Sequence, residues 1–272
     1  MTSLAIDPST HANPLGPDHC DRAADRVGQV LAALRAGRPA IVADDPGREN
    51  EIDFVLPAGT ATEEQVALLV RHGTGLICAA IPAARAGVLD LPQQVPTNAN
   101  AHRTAYTVLC DARWPDDGTA HTGISAGDRA ATLRVLADPA STSADLIRPG
   151  HVAPLAAQPG GVLARAGHTE AGVDLAERAG VAPAAAIVEI QHDNGRMVRL
   201  PEWQAFRRRH RLPDFPVATV ADLIQYRRLR EVQVRQVAAA RLPIRWGTAE
   251  VSAATRPGPH RLPAPPRPSP PP

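Results

Sequence analysis

The sequence predicts an α/β (α+β) protein with a mixed sheet flanked by helices. Short apolar segments rich in β-forming residues alternate with segments of helical periodicity along most of the chain, which is typical of this class. Hydrophobic residues make up 44 % of the 272 residues, enough for a sizeable core. Glycine, proline and aspartate at the junctions indicate the turns that separate these segments.

The predicted helices follow from apolar spacing and from signals at their ends. Gly37 follows the first periodic segment as a C-cap. Thr62 begins a capping box with Gln65, and Ser125 caps a further helix with Asp128 at its third position. Helices are predicted at residues 21–36, 62–72, 126–137, 169–179, 202–210 and 219–230.

The predicted strands are short runs of apolar and β-branched residues. They are expected at residues 39–43, 54–56, 76–81, 104–111, 152–156, 161–165 and 185–191. Turns are expected at residues 44–47 and 148–151, and Asp193-Asn194-Gly195 predicts a hairpin turn after the last strand.

Composition excludes several kinds of function. All 29 basic residues are arginine, so neither pyridoxal phosphate chemistry nor an imine-forming aldolase is available, because both need a lysine. The formal net charge of +1 gives no general attraction to nucleic acid or to acidic membranes. The three cysteines, Cys20, Cys78 and Cys110, form no CxxC pair, so we expect a reducing, cytoplasmic setting.

Neither end of the chain has the pattern of a folded segment. Residues 1–19 lack a basic segment followed by an apolar run, so they are expected to be a disordered leader and not a secretory signal. Nine of the last 17 residues are proline, and residues 256–272 are expected to be disordered. No segment approaches about 20 consecutive apolar residues, so no membrane span is expected.

Two short runs contain most of the residues that suit catalysis. Glu49, Glu51 and Asp53 alternate along the first run, and in an extended segment their carboxylates would point to one face. Like charges this close repel each other, and such a cluster is typically kept to bind a cation or to move protons. The second run places His168 two residues before Glu170. Carboxylate and imidazole ligands suit Mg2+ or Mn2+.

Each of these residues also has a structural interpretation. Glu49 and Glu51 can belong to a solvated charged strand, and His151 can be a turn histidine with a satisfied hydrogen bond. His168 can cap the helix that follows it. Glu189 is the hardest to explain structurally, because its strand is apolar and an unpaired buried carboxylate is costly.

Six motifs follow one another along the chain. They are Arg48-Glu49-Asn50-Glu51, His72-Gly73-Thr74-Gly75-Leu76-Ile77-Cys78, Thr122-Gly123-Ile124-Ser125-Ala126, Arg148-Pro149-Gly150-His151, Gly160-Gly161-Val162-Leu163 and Gly167-His168-Thr169-Glu170-Ala171. In this order they resemble the 3,4-dihydroxy-2-butanone 4-phosphate synthases of riboflavin biosynthesis, and the resemblance extends from about residue 21 to about residue 228.

The resemblance implies a homodimer with active sites near the interface. It implies that ribulose 5-phosphate is converted into the four-carbon phosphate and formate with Mg2+ (or Mn2+). Carried over by position, it implies that the metal is bound by Glu49 and His168. The implied substrate contacts are Arg48, Asp53, Arg165, Ala166, Gly167, Thr169 and Glu189, and the implied catalytic residues are His151, Glu189 and Asp53. Glu51, Thr122 and Ser125 are candidates for the layer of residues around them.

A second, weaker resemblance begins where the first ends. Residues 235–247 resemble the opening of GTP cyclohydrolase II. The zinc site of that enzyme needs cysteine ligands, and all three cysteines of this chain lie upstream. We therefore expect residues 20–230 to form the synthase-like domain, and residues 231–255 to be a truncated remnant without cyclohydrolase activity.

Four positions differ from the family pattern. Ile52 and Arg103 stand where glycine is usual, Ala101 where arginine is usual, and His121 where threonine is common. Because of them, a diverged paralogue that makes another product from ribulose 5-phosphate or a related sugar phosphate in a specialised pathway stays open as an alternative to an authentic synthase. A third hypothesis, from another class, is a silent subunit that binds a flavin-pathway enzyme through its arginine-rich C-terminal region, although the retained site residues argue against it.

Overall fold

The computed structural model describes residues 17–114, 121–231, 235–245 and 247–255. It divides into two units, the first up to Tyr226 and the second from Arg227. The predictions for residues 1–16 and for the proline-rich segment 256–272 lie outside the described residues. Helix α1 (Pro17–Arg35) already includes residues 17–19, so the predicted end of the leader was wrong.

Seven strands of the first unit form one sheet. They are β1 (Ala40–Ala43), β2 (Ile52–Pro57), β3 (Cys78–Pro82), β4 (Cys110–Ala112), β5 (Leu146–Ala157), β6 (Ala185–Glu189) and β7 (Val217–Thr219), in the spatial order β4-β5-β3-β6-β2-β1-β7. Strand β1 is antiparallel to β2 and parallel to β7, while β3 is parallel to β5 and antiparallel to β6. The predicted mixed sheet is therefore confirmed.

The helices that follow α1 are α2 (Glu63–His72), α3 (Ala83–Val88), α4 (Ala126–Ala137), α5 (His168–Ala179), α6 (Trp203–Arg209) and α7 (Val220–Arg230). Two predicted caps are confirmed. Thr62 and Gln65 form the capping box of α2, and the Ser125 hydroxyl accepts a hydrogen bond from Asp128 N at 3.0 Å at the start of α4. Helix α3 was not predicted from the sequence.

Apolar side chains bury both faces of the sheet. Ile41 and Phe54 pack on one face with apolar residues of α2, α4 and α6. Val42 and Val55 pack on the other face with α1 and α5. Successive strand residues point to opposite faces, so adjacent apolar residues enter different clusters. Burial on both faces explains why the central strands read as continuous apolar runs.

Residues 161–165 do not form the predicted strand. They contain a short 3-10 helix, Gly161–Leu163. Gly160 and Gly161 have φ angles of 99° and 60°, which a strand does not contain. The carboxylate of Asp174 also accepts a hydrogen bond from Val162 N at 2.9 Å. The glycine pair and this contact with α5 therefore decide the local structure, against the apolar pattern.

Two predictions near β4 and β5 were also wrong. Residues 148–151 lie inside β5 and do not form a turn, and the Arg148–Pro149 peptide bond is cis. A Cβ atom on Gly150 would lie 2.1 Å from the carbonyl carbon of Cys110, so only glycine lets the two strands approach there. The predicted strand at residues 104–111 is regular only from Cys110, although Tyr106 forms an isolated bridge.

The second unit contains a two-stranded antiparallel hairpin, β8 (Arg235–Ile244) and β9 (Gly247–Thr255). The hairpin lies within residues 231–255, where the cyclohydrolase remnant stays a prediction. Among the helices in the described parts of both units, none is long and apolar enough to cross a bilayer.

Candidate active site

Three elements bring acidic and basic side chains to one place in the sheet. Asp53 lies in β2 directly opposite Glu189, the last residue of β6. His168 begins α5, and its side chain is 7 % exposed. Because β2 and β6 are neighbours, both carboxylates point to the same face as His168.

These residues line a cavity of about 170 Å³. Eight of its lining residues were predicted from the sequence: Arg48, Glu49, Glu51, Asp53, Arg165, His168, Thr169 and Glu189. The other lining residues were not predicted from the sequence: Cys78, Asn100, Thr104, Tyr106, Leu155 and Ile187. The predicted residues Ala166 and Gly167 do not line the cavity, but they connect Arg165 to His168.

His168 stands between two carboxylates. Its Nδ1 lies 3.7 Å from Glu49 Oε2 and 3.7 Å from Asp53 Oδ2. Burial disfavours the imidazolium, but Asp53 and Glu49 outweigh it and raise the pKa of His168 to about 9. His168 and then Arg48 lower the pKa of Glu49 to about 2, against the effect of burial. Burial raises the pKa of Asp53 to about 8, so Asp53 can hold a proton near neutral pH.

Two arginines at the cavity are already oriented by carboxylates. Arg48 Nη1 lies 2.7 Å from Asp44 Oδ2 and 2.6 Å from Glu49 Oε2. Arg165 Nη1 lies 2.6 Å from Glu170 Oε2, while its Nη2 donates to Thr104 Oγ1 at 3.0 Å. Such fixed guanidinium groups are suited to bidentate binding of an anion such as a phosphate.

The donor atoms fit a divalent metal ion. Ligand atoms of Asp44, Glu49 and His168 all lie within 4.8 Å of one another. Among the described residues, Asp44 Oδ1, Asp53 Oδ1 and His168 Nε2 are buried polar atoms without a hydrogen-bond partner. Unpartnered buried polar atoms are costly, and a cation would satisfy them.

Asp44 was not identified from the sequence. The local sequence places it in the predicted turn at residues 44–47, because Asp44-Asp45-Pro46-Gly47 is typical of turns. The feature that could have identified Asp44 is its position directly after the buried strand β1, where the residue is only 7 % exposed. A carboxylate at the buried end of a strand needs a cationic partner.

The expected extended run of carboxylates was only partly right. Glu51 and Asp53 alternate as predicted, but Asn50 has a φ angle of 54°, in the left-handed region. Glu49 therefore reaches the cavity from the preceding turn and not from the strand itself. All three carboxylates still line the same cavity.

His151, Thr122 and Ser125 do not line this cavity in the described chain. His151 is 43 % exposed, and its Nδ1 lies 2.7 Å from Asp111 Oδ2. Gly123 packs against this pair, since a Cβ atom there would lie 2.0 Å from Asp111 Oδ2. His151 therefore belongs to a separate surface cluster with Asp111 and the residue 122–125 loop.

Two of the four departures from the family pattern now have a location. Ile52 is fully buried in the core, so its β-branched side chain adds no bulk beside the proposed metal site. Its neighbour Asp53 points to the cavity, and the alternation of β2 sends Ile52 to the other face. Arg103 has a φ angle of 52°, the region where glycine is favoured, in the loop that carries Asn100 and Thr104.

Comparison with known proteins agrees with these features. Residues 28–226 match the profile of the 3,4-dihydroxy-2-butanone 4-phosphate synthase family. The chain is 49 % identical over 221 residues to the riboflavin biosynthesis protein RibBA of Salinispora arenicola, covering 81 % of this chain and 51 % of that protein. It is 47 % identical over 209 residues to the 3,4-dihydroxy-2-butanone 4-phosphate synthase of Edwardsiella ictaluri, covering 77 % of this chain and 92 % of that protein.

A solved structure is similar over the same region. It is a 3,4-dihydroxy-2-butanone 4-phosphate synthase in complex with two magnesium ions, with a TM-score of 0.68 and 45 % identity. The match covers 75 % of this chain and 97 % of that chain. The chain spans about half the length of the RibBA proteins that it matches. The chain belongs to the 3,4-dihydroxy-2-butanone 4-phosphate synthase family.

Proposed function

We propose that the protein is a metal-dependent lyase that converts D-ribulose 5-phosphate into 3,4-dihydroxy-2-butanone 4-phosphate and formate. The main support for this proposal is one cavity lined by both acidic and basic side chains. They are Glu49, Asp53, Glu189 and His168, beside Arg48 and Arg165. Membership of the family supports the same reaction, and the synthase of Edwardsiella ictaluri is matched over 92 % of its length.

Glu49 and His168 would hold the metal ion, with Asp44 as a third ligand. The carboxylate oxygens of this donor set suit both Mg2+ and Mn2+. The related synthase solved with two magnesium ions supports Mg2+ as the natural ion. When bound, a divalent ion would supply positive charge that polarises a carbonyl oxygen and makes the neighbouring C–H bond more acidic.

The chain's own residues would bind the substrate and move its protons. Arg48 and Arg165, together with the stretch that ends in Thr169, lie where a phosphate and the sugar hydroxyls can be bound. Asp53 is suited to proton transfer because burial raises its pKa to about 8. Glu189 is oriented by Thr74, whose hydroxyl donates to Glu189 Oε2 at 2.9 Å.

His151 supports a homodimeric enzyme. It is exposed, it lies outside the cavity of its own chain, and Asp111 fixes its ring. Leu76, Ile124 and Ile147 are exposed apolar residues of the same unit. A second copy of the chain would bury apolar surface and bring its His151 to the cavity, which completes the proposed catalytic set.

The diverged paralogue is not favoured over the synthase. Ile52 is one of the positions that differ from the family pattern, and its side chain lies in the core and not at the cavity. The residues proposed for metal binding and proton transfer line the cavity, apart from His151 and from Asp44, which pairs with the lining residue Arg48. The cytoplasmic location inferred from the cysteine pattern stays a prediction.

The proposal is tested by incubating the purified protein with ribulose 5-phosphate and Mg2+, with and without EDTA. Products are followed by carbon-13 NMR of uniformly labelled substrate. We expect formate and the four-carbon phosphate in equal amounts, and we expect both to disappear with EDTA. A different product would favour the paralogue, and no turnover by folded protein with Mg2+ present would overturn the proposal.

A further inference from the structure

Arg199 contacts the chain segment that carries Glu49, although it follows β6 far along the sequence. Its Nη1 donates to Glu49 O at 3.1 Å and also donates to the carbonyl oxygen of Asn50. The same nitrogen lies 3.8 Å from Glu51 Oε1. One guanidinium group therefore contacts three consecutive residues at the cavity.

This segment needs such support because of its backbone conformation. Asn50 is in the left-handed region, which asparagine tolerates better than most residues other than glycine, and this conformation takes the chain out of strand geometry. Among the described residues, neither Glu49 O nor Asn50 O accepts a hydrogen bond from a backbone N–H. The pairing of β1 with β2 starts only at Ala43 and Ile52. Arg199 satisfies the two carbonyl groups that the sheet leaves without a partner.

The backbone of Arg199 is itself held in place. Its backbone N–H donates to Glu202 Oε2 at 2.8 Å. The following helix α6 begins with Trp203, whose ring lies edge-on to Phe54 with centroids 6.3 Å apart. Phe54 is the strand residue next to Asp53, so the core that fixes β2 also fixes the position of Arg199.

We propose that Arg199 is a positioning residue that holds the Glu49 carboxylate in place for a divalent metal ion. The inference rests on the proposed function, because it assumes that Glu49 is a metal ligand. Arg199 also places a positive charge beside the cavity, where the carboxylates of Glu49, Glu51 and Glu189 crowd together. Residues that orient metal ligands typically change metal affinity about 10- to 100-fold when they are replaced.

The test compares Mg2+ binding to the substrate-free protein for wild type, Arg199→Ala and Arg199→Lys. Arg209→Ala is the matched control, because Arg209 is 73 % exposed and pairs with Asp193 outside the cavity. We expect Arg199→Ala to raise the Kd for Mg2+ about 10- to 100-fold. Arg199→Lys should recover part of the affinity, since one ammonium group can donate to both carbonyls. Arg209→Ala should bind Mg2+ as wild type does.

A second readout separates this inference from the proposed function. Amide hydrogen exchange of Glu49 and Asn50 is measured without metal in the same variants. Their N–H groups donate to Asp44 Oδ2 and Asp45 O in the intact segment. We expect faster exchange at both in Arg199→Ala than in Arg209→Ala. Folded Arg199→Ala with wild-type exchange and wild-type Mg2+ affinity would overturn the inference.

If wild-type protein binds no Mg2+, the proposed function fails while the exchange result still decides the role of Arg199. Faster exchange confined to the Glu49–Asn50 segment would then support positioning of the segment alone. Unchanged exchange would overturn both ideas. Loss of thermal stability without either effect would show an ordinary structural role and would also overturn the inference.

Discussion

His168 Nδ1 lies 3.7 Å from Asp53 Oδ2, while His168 Nε2 has no hydrogen-bond partner among the described residues. The Nδ1 side of the imidazole therefore faces carboxylates, and Nε2 remains available to bind a metal ion. In the absence of metal, a proton on His168 neutralises part of the acidic cluster. With metal, the neutral imidazole is the form that binds the ion. The same residue thus links metal binding to the protonation of the cavity.

Replacing Asp53 by asparagine should lower the pKa of His168. The Asp53 charge is a major cause of the raised pKa of about 9, together with Glu49 and Asp44, and asparagine keeps the shape while removing the charge. We expect a decrease of about 1 to 3 pH units, as is typical when an opposite charge within a few ångströms is removed. NMR titration of the His168 ring in metal-free protein measures it. An unchanged titration would mean that Asp53 does not face the imidazole.

The metal-free protein should lose stability as pH rises from 6.5 to 9. The pKa of His168 is raised from 6.5 to about 9 by folding, so its stabilisation is complete below pH 6.5 and is lost as pH rises through 9. Asp53 also makes the folded protein less stable as pH rises, because folding raises its pKa from 3.8 to about 8. The measurement is Tm against pH in EDTA, with an expected decrease on the order of 5 °C.

His168→Asn provides the comparison for this pH dependence. Asparagine does not titrate, so the decrease in Tm over the same pH range should be smaller in this variant. A decrease equal to that of wild type would assign the pH dependence to other groups.

Sequence patterns identified most of the fold and most of the cavity, and the misses have physical causes. Local sequence signals are enough to predict helix caps such as Thr62 and to identify Asp53 as a candidate site residue beside an apolar strand. The strand predicted at residues 161–165 was wrong because Val162 N donates to Asp174 Oδ2, a contact with α5 that the local apolar pattern does not contain. Asp44 was missed because burial after a strand depends on tertiary packing, which turn statistics do not contain.

Arg199 illustrates a further limit. Its contacts with Glu49 and Asn50 depend on how the segment after β6 folds back on the turn before β2. Nothing in the sequence around Arg199 distinguishes it from the other arginines of the chain, because the distinction lies in long-range geometry.

Replacing Arg103 should show whether its backbone is strained. Its φ angle of 52° is costly for residues with a Cβ atom and free of cost for glycine. We expect Arg103→Gly to be more stable than Arg103→Ala by about 1 kcal/mol. The two variants both lack the guanidinium and differ at Cβ, so urea unfolding isolates the backbone effect. Equal stability would contradict a left-handed Arg103.

Mixing two inactive variants should restore activity if the active site is shared between copies. Glu49→Gln removes a proposed metal ligand, and His151→Asn removes the exposed histidine. A mixed dimer would contain one site with both residues intact. Random pairing makes half of the dimers mixed, so we expect about a quarter of the wild-type rate.

The measurement is formate release after the two variants are unfolded together and refolded. Each variant refolded alone provides the baseline. If the mixture is no more active than the two baselines, Glu49 and His151 do not act together across an interface, and the proposed homodimeric site is wrong.

The most direct test of the proposed metal-dependent site is Glu49→Gln, measured for Mg2+ affinity and for formate release from ribulose 5-phosphate. Glutamine preserves the size of the side chain but loses the charge that binds the ion. Glu177→Gln on α5 is the matched control, because Glu177 is 56 % exposed and does not line the cavity. We expect Glu49→Gln to lose Mg2+ affinity and to slow formate release by about two orders of magnitude or more, with the control unchanged. Wild-type affinity and wild-type formate release in folded Glu49→Gln would contradict the account.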